Sequence, residues 1–227
     1  MPHYISAGRL SRIALPGLSR ASLHDTKESP MGLADRVKKI LLTPKTEWQV
    51  IDGEVTTTAD LYKGYIIPLA AIGPIASAIG SSVFGLSVPF VGTIRQPIGQ
   101  AITGAVVSYV LMLIGIFVLG LIIDALAPTF GGTRSQIQGL KVAAYSATAS
   151  WLAGIFGLIP ALALLGLLGL YSFYLLYLGL PVLMKSPPEK ALGYTAVVVI
   201  VAFVLFMLIG VVTARFIVSP GATGFGT

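Results

Sequence analysis

Beyond residue 64 the chain alternates long apolar runs with brief polar breaks. Charge-free stretches cover residues 65–94, 96–123, 142–184 and 191–214. A helix crosses a hydrocarbon core of about 30 Å with about 20 apolar residues, so three of these runs hold one span each and the 142–184 run is long enough for two. Within that run, Gly157 supplies a helix stop and Pro160 a residue suited to opening the next helix, which divides it into a tight hairpin. The pattern predicts an all-α polytopic membrane protein with five transmembrane helices near 65–86, 98–123, 141–158, 161–184 and 192–214. Pro68, Pro74 and several glycines interrupt the first span and Pro89 follows it, so kinks are expected there.

The polar start divides in two. Residues 1–30 contain Arg9, Arg12 and Arg20 with no acid before Asp25 and no apolar core, which argues against a secretory signal. An organellar presequence and a disordered extension both fit; the segmentation takes the second, with Met31 as the natural beginning. From there to residue 64 the chain reads as a short amphipathic cytoplasmic segment. Leu33, Val37, Ile40 and Leu41 recur at helical spacing, with Arg36, Lys38 and Lys39 elsewhere on the helix. Thr43 and Pro44 end that helix and open another containing Glu47 and Trp48, which stops at Asp52 and Gly53. Thr57 and Asp60 match a capping box leading into the first span. The membrane domain then covers 65–218, and 219–227 is a tail.

Composition supports this division and adds an orientation. Hydrophobic residues make up 55% of the chain, charged ones 11%, and the mean hydropathy is +0.88, well above a soluble domain's balance. Residues 1–64 hold nine of the 15 Lys and Arg, and with Arg134, Lys141, Lys185 and Lys190 one side of the bilayer collects thirteen against two on the other. That asymmetry predicts a multi-pass cell (plasma or inner) membrane protein with a cytoplasmic N-terminus and an external C-terminus. The net charge of +6 fits attraction to anionic lipids, and no basic, aromatic-interleaved module points to nucleic acid.

Catalytic chemistry has no visible candidate. The chain has no Cys, and its two His residues lie in the first thirty positions, so no cofactor or Cys/His metal site is expected. No ionisable residue falls at mid-membrane depth, where it would mark an ion pathway; Asp124 closes the second span. Small residues do recur every four positions: Gly73, Ser77, Ser81 and Gly85 in the first span, and Ser146, Ser150 and Gly154 in the third. Such faces let helix backbones approach closely and predict packing between helices, or self-association. Tyr171, Tyr174 and Tyr177 sit three apart on the fourth span, facing Tyr145 and Trp151 in an expected aromatic seam whose hydroxyls need partners.

The segments "VKKILLTPKTEWQVI", "ADLYKGYIIPLAAIGPIA" and "YSFYLLYLGLPVLMKSPPEKALGY", with the order of five hydrophobic segments, make 31–218 resemble the Yip (Ypt-interacting protein) domain family in its bacterial form. The resemblance implies five transmembrane helices behind a cytoplasmic N-terminal region. In eukaryotic relatives it implies association with Rab-type GTPases and with one another in vesicle traffic. Those relatives carry an Asp-Leu-Tyr-Gly-Pro motif. Here Asp60, Leu61 and Tyr62 are followed by Lys63, Gly64 and Tyr65, a partial match, and Gly193 with Tyr194 corresponds to a second, Gly-Tyr motif. Two function classes remain. One is a non-enzymatic adaptor or scaffold meeting lipid or a protein partner through Arg36, Lys38, Lys39, Trp48, Asp60, Leu61 and Tyr62. The other is a small-solute transporter or channel using the broken first span and the tyrosine-bearing fourth.

Overall fold

The computed structural model describes residues 32–88 and 92–217. Two short helices open this region, α1 (Leu33–Leu42) and α2 (Pro44–Gly53), followed by the long, twice-widened α3 (Thr58–Phe84). A hairpin of strands β1 (Leu86–Val88) and β2 (Gly92–Ile94) leads to α4 (Ile98–Leu126). Next come α5 (Gln136–Ser146) and α6 (Thr148–Ala153), two 3-10 stretches (Gly154–Leu158 and Pro160–Leu170), α7 (Tyr171–Leu183) and α8 (Pro188–Ile217).

The chain is therefore nearly all helical rather than wholly so. The hairpin pairs antiparallel with Ser87 opposite Thr93, and strands of three residues are too short to leave an alternation in the sequence. Among the described residues, four segments are long and apolar enough to cross a membrane: Thr58–Phe84, Ile98–Phe130, Leu164–Leu183 and Pro188–Arg215. The stretch expected as the third span is broken instead, turning at Ala147 and tightening to a 3-10 helix from Gly154. The expected segments 1–30 and 219–227, with Pro89, lie outside the described residues.

Local chemistry explains the joints. Thr57 accepts the Asp60 amide at 3.1 Å and so starts α3 seven residues before the expected span. A π-helical turn at Tyr62–Ile66 precedes Pro68, which has no amide hydrogen to give an ordinary helix. A second such turn, Gly80–Phe84, ends at Gly85, whose φ of 74° lies in the left-handed region that glycine enters without strain. Gly85 is thus a helix terminator, not a fourth member of the small-residue face. Thr43 does not cap α2 with its side chain; its hydroxyl donates back to the Lys39 carbonyl, closing α1.

Packing depends on missing side chains at a few crossings. A Cβ on Gly120 would lie 2.8 Å from the Leu140 Cα, and one on Gly139 2.6 Å from the Gly120 carbonyl oxygen, so α4 and α5 touch backbone to backbone. Gly154 meets Gly73 in the same way, with a hypothetical Cβ 2.8 Å from the Gly73 Cα, and Gly157 lies against Ser77. Around these crossings Tyr65, Ile66, Ile116, Ile123, Leu175 and Leu180 form the buried core.

Candidate functional site

At one end of the bundle the polar residues converge. The apolar stripe of α1 faces the protein: Ile40 is fully buried, and Leu33, Val37 and Leu41 pack partly buried against the core. Arg36 goes inward with them. Its guanidinium pairs with Glu47 of α2 and with Glu54 just beyond it, and lies 5.7 Å from the centre of the Tyr145 ring. Burial alone would lower its pKa; the hydrogen bond to Glu54 and the nearby Tyr145, Glu54 and Glu47 outweigh that and hold it above the ordinary arginine value.

A second set of contacts fastens α2 to the bundle. Lys141 of α5, 2% exposed, donates to the carbonyls of Ile51 at 2.9 Å and Glu54 at 2.6 Å, which satisfies the C-terminal end of α2. Gln138 donates to the Asp52 carbonyl and carboxylate, and Lys185 pairs with the other Asp52 oxygen. Arg134 approaches Asp124 at 3.5 Å, and the Thr133 amide donates to the Met184 carbonyl. Lys185 itself has a φ of 54°, a left-handed turn between α7 and α8. The loops after α4 and α7 and the α1–α2 pair therefore share one end of the molecule.

Several residues expected at a surface lie inside. Trp48 is fully buried, with Gly179 directly against its ring, and meets Tyr145 edge to face at 6.3 Å. Leu61 is buried as well, on the inner face of α3. Tyr62 donates to the Leu113 carbonyl of α4, and Asp60 remains exposed while holding Thr57. Lys38 and Lys39 are exposed, as is Lys45, which the sequence did not single out.

The tyrosines of α7 also depart from expectation. Tyr171 donates to the Leu41 carbonyl, tying α7 to α1, but Tyr174 and Tyr177 are about 40% exposed and face outward. The aromatic seam is built from Tyr65, Tyr145, Trp48 and Trp151 instead, with the Tyr65 hydroxyl 2.6 Å from that of Thr148. Ser150 bonds Ser172 and the Gly169 carbonyl, Ser81 bonds the Ala78 carbonyl, and the Ser146 hydroxyl is buried without a hydrogen-bond partner among the described residues.

Toward the other end, a cavity of about 510 Å³ opens between α3, α4, α6 and α8. Ser77 and Ser81 of α3, Gln96, and Thr213 of α8 line its outer part; Met112 and Trp151 line the inner part. None of the described residues that line it is charged.

The Yip1 domain model matches residues 38–209, three quarters of the chain. The chain belongs to the Yip1 domain family. Two relatives carry the name inner membrane protein YohC, from Escherichia coli K12 and E. coli O6:H1; each is 31% identical over 117 residues, 52% of this chain. The match spans 60% of those relatives' length. No solved structure matches the chain. Within this Yip1 domain lie Glu47, Glu54, Lys141, Lys185 and the cavity lining apart from Thr213, whereas Arg36 falls two residues before the matched segment and Thr213 four after it.

Sequence reasoning missed the partners of Arg36 because they stand 11 and 18 residues away. No local signal marked them: Glu47 stands between Lys45 and Gln49, and Glu54 follows Asp52 and Gly53, a polar setting like that of a solvated acid. Lys141 looked like a topogenic charge, and it serves as a donor to backbone carbonyls.

Proposed function

We propose that this Yip1-family protein is a non-enzymatic scaffold of the inner membrane that crosses the bilayer five times, holding a clamped helical pair on its cytoplasmic face against anionic lipid. The observation that carries this is the clamp. Arg36, Lys141 and Lys185 are all engaged in fixing α1 and α2 to the bundle, and what remains on the outer face is Lys38, Lys39 and Lys45. A rigid platform presenting three free ammonium groups suits phospholipid headgroups, each lysine contributing about 1 kcal/mol near an anionic leaflet.

The broken stretch 136–158 is the fifth crossing. Its support is the chain's return: α4 ends beside Asp124 and Arg134, and the chain is back at the same end by Lys185, which fits a segment between them that goes out and comes back. The YohC name of the bacterial relatives supports the inner membrane, and the lysine-rich end supports a cytoplasmic N-terminus. The cavity's uncharged lining gives ion coupling no residue to work with.

Alkaline phosphatase fused after Thr227 tests the topology. Five crossings from a cytoplasmic start make the fusion active; an inactive fusion that fluoresces when replaced by a cytoplasmic reporter rules them out. For the platform, full-length protein and a Lys38→Gln/Lys39→Gln/Lys45→Gln variant are compared by native mass spectrometry of retained phosphatidylglycerol. Loss of three contacts predicts roughly a hundredfold weaker retention. Equal retention removes the lipid role.

A further inference from the structure

We propose that the cavity between α3, α4, α6 and α8 is a binding site for one uncharged, hydroxyl-bearing single-chain amphiphile of the monoacylglycerol type, drawn from the leaflet opposite the polar end. Its volume of about 510 Å³ falls within the roughly 300–1,000 Å³ typical of small-molecule pockets. Its depth fits a lipid. Ala70 and Ser81 both line it, and eleven residues of helix rise about 16 Å, half of a hydrocarbon core of about 30 Å.

The chemistry is graded along that depth. The outer part holds Ser77, Ser81, Gln96 and Thr213, beside the β1–β2 hairpin where α3 ends and α4 begins. Toward mid-membrane the wall is Ala70, Pro74, Met112 and Trp151. Ser81 and Ser108, both in the lining, donate to carbonyls of their own helices, which leaves their hydroxyl oxygens able to accept. The Thr213 hydroxyl is buried with no protein partner among the described residues, a cost that a ligand hydroxyl would remove. Gln96 is anchored through its amide, which donates to the Ser81 carbonyl at 3.1 Å, and its side chain offers two donors and an acceptor.

These features select the ligand. Without a cation in the lining, a phosphate or carboxylate headgroup would lose its hydration for no partner, so the head must be neutral. Hydroxyls that both give and accept match a lining of serine, threonine and glutamine. An apolar inner half calls for a hydrocarbon chain rather than a free polyol.

The two tryptophans make the test direct. Trp151 lines the cavity, while Trp48 is fully buried at the other end. Full-length protein in phosphatidylcholine nanodiscs is titrated with a dibrominated monoacylglycerol, and tryptophan quenching is read. Saturable quenching is expected, unaffected by glycerol and not reproduced by the matching brominated fatty acid at a pH where it is ionised. Ala105→Phe, which fills the cavity, is expected to abolish the saturable part. The Ser77→Ala/Thr213→Val variant shrinks no apolar contact and is expected to shift the midpoint about three- to tenfold higher. Quenching that rises linearly, that glycerol displaces, or whose midpoint is unmoved in the Ser77→Ala/Thr213→Val protein overturns the proposal.

Discussion

Replacing Arg36 by Met exposes what holds α1 and α2 in place. The guanidinium side chain is 7% exposed and its partner Glu47 4%, whereas Glu54 keeps 32% of its side chain in solvent. Removing the cation leaves Glu47 charged, buried and unpaired, which costs about 3–5 kcal/mol. Glu54 can rehydrate, so its share falls within the 0–1 kcal/mol typical of exposed pairs. Loss of the cation over the Tyr145 ring overlaps with these contributions and does not simply add. Desolvation therefore dominates, and a specific consequence follows. In Arg36→Met/Glu47→Leu both charges are gone, and stability returns to within about 1–2 kcal/mol of the parent, because an apolar pair of similar volume is an adequate replacement for a buried ion pair. The assay is reversible unfolding by SDS titration in mixed micelles, on the parent, both single variants and the double variant. The expected coupling energy is at least about 2 kcal/mol. A single-variant cost under about 1 kcal/mol, or a double-variant cost equal to the sum of the singles, would refute the account of Arg36 as a buried clamp.

Other sites give sharper steric and hydrogen-bonding tests. A Cβ at position 179 would fall 2.7 to 2.9 Å from three ring atoms of Trp48, so Gly179→Ala is expected to lose about 1–3 kcal/mol by overpacking, offset by up to about 1 kcal/mol of helix propensity; a net gain in thermal stability would contradict this. Lys141→Met releases the Ile51 and Glu54 carbonyls, and amide hydrogen exchange across 44–57 should accelerate about ten- to a hundredfold, matching a charge-assisted bond of about 1.5–3 kcal/mol; unchanged protection there would show that Lys141 does not hold α2. Gly154→Ile forces apart the backbones at Gly73, so the yield of folded, monodisperse protein should fall sharply, whereas Gly166→Ile, at a position with open space, should leave it unchanged; equal yields would mean that the crossing tolerates a side chain.

Much of this molecule was legible from its sequence because the deciding quantities are local. Whether a segment is solvated by hydrocarbon depends on its own transfer free energy, so the spans starting near residues 65, 98, 161 and 192 were legible, whereas the run expected as the third span is broken by its packing against α3. Helix boundaries at Thr43, Pro44, Gly53, Thr57 and Pro160 likewise depend on neighbours within one turn. Spacing could identify the stripe on α1 but not its occupant: a helix with Leu33, Val37 and Ile40 on one side buries it against lipid or protein with similar gain, and only the fold showed protein. Helical rotation was equally undetermined. Tyr171 turns to Leu41 while Tyr174 and Tyr177 face outward, because the packing of α7 against α2 and α5 sets its orientation, not the interval between tyrosines.

Sequence alone thus determined the solvent, the helical class and the end of the molecule where charge collects. Tertiary structure decided the rest: that Arg36 lies inside, that Lys141 serves carbonyls some 90 residues away, and that four separate elements border an open cavity. The physical reason is range. Burial of a helix in a bilayer is a sum over its own residues, whereas an ion pair or a cavity exists only where distant segments, each unremarkable alone, are brought within a few ångströms.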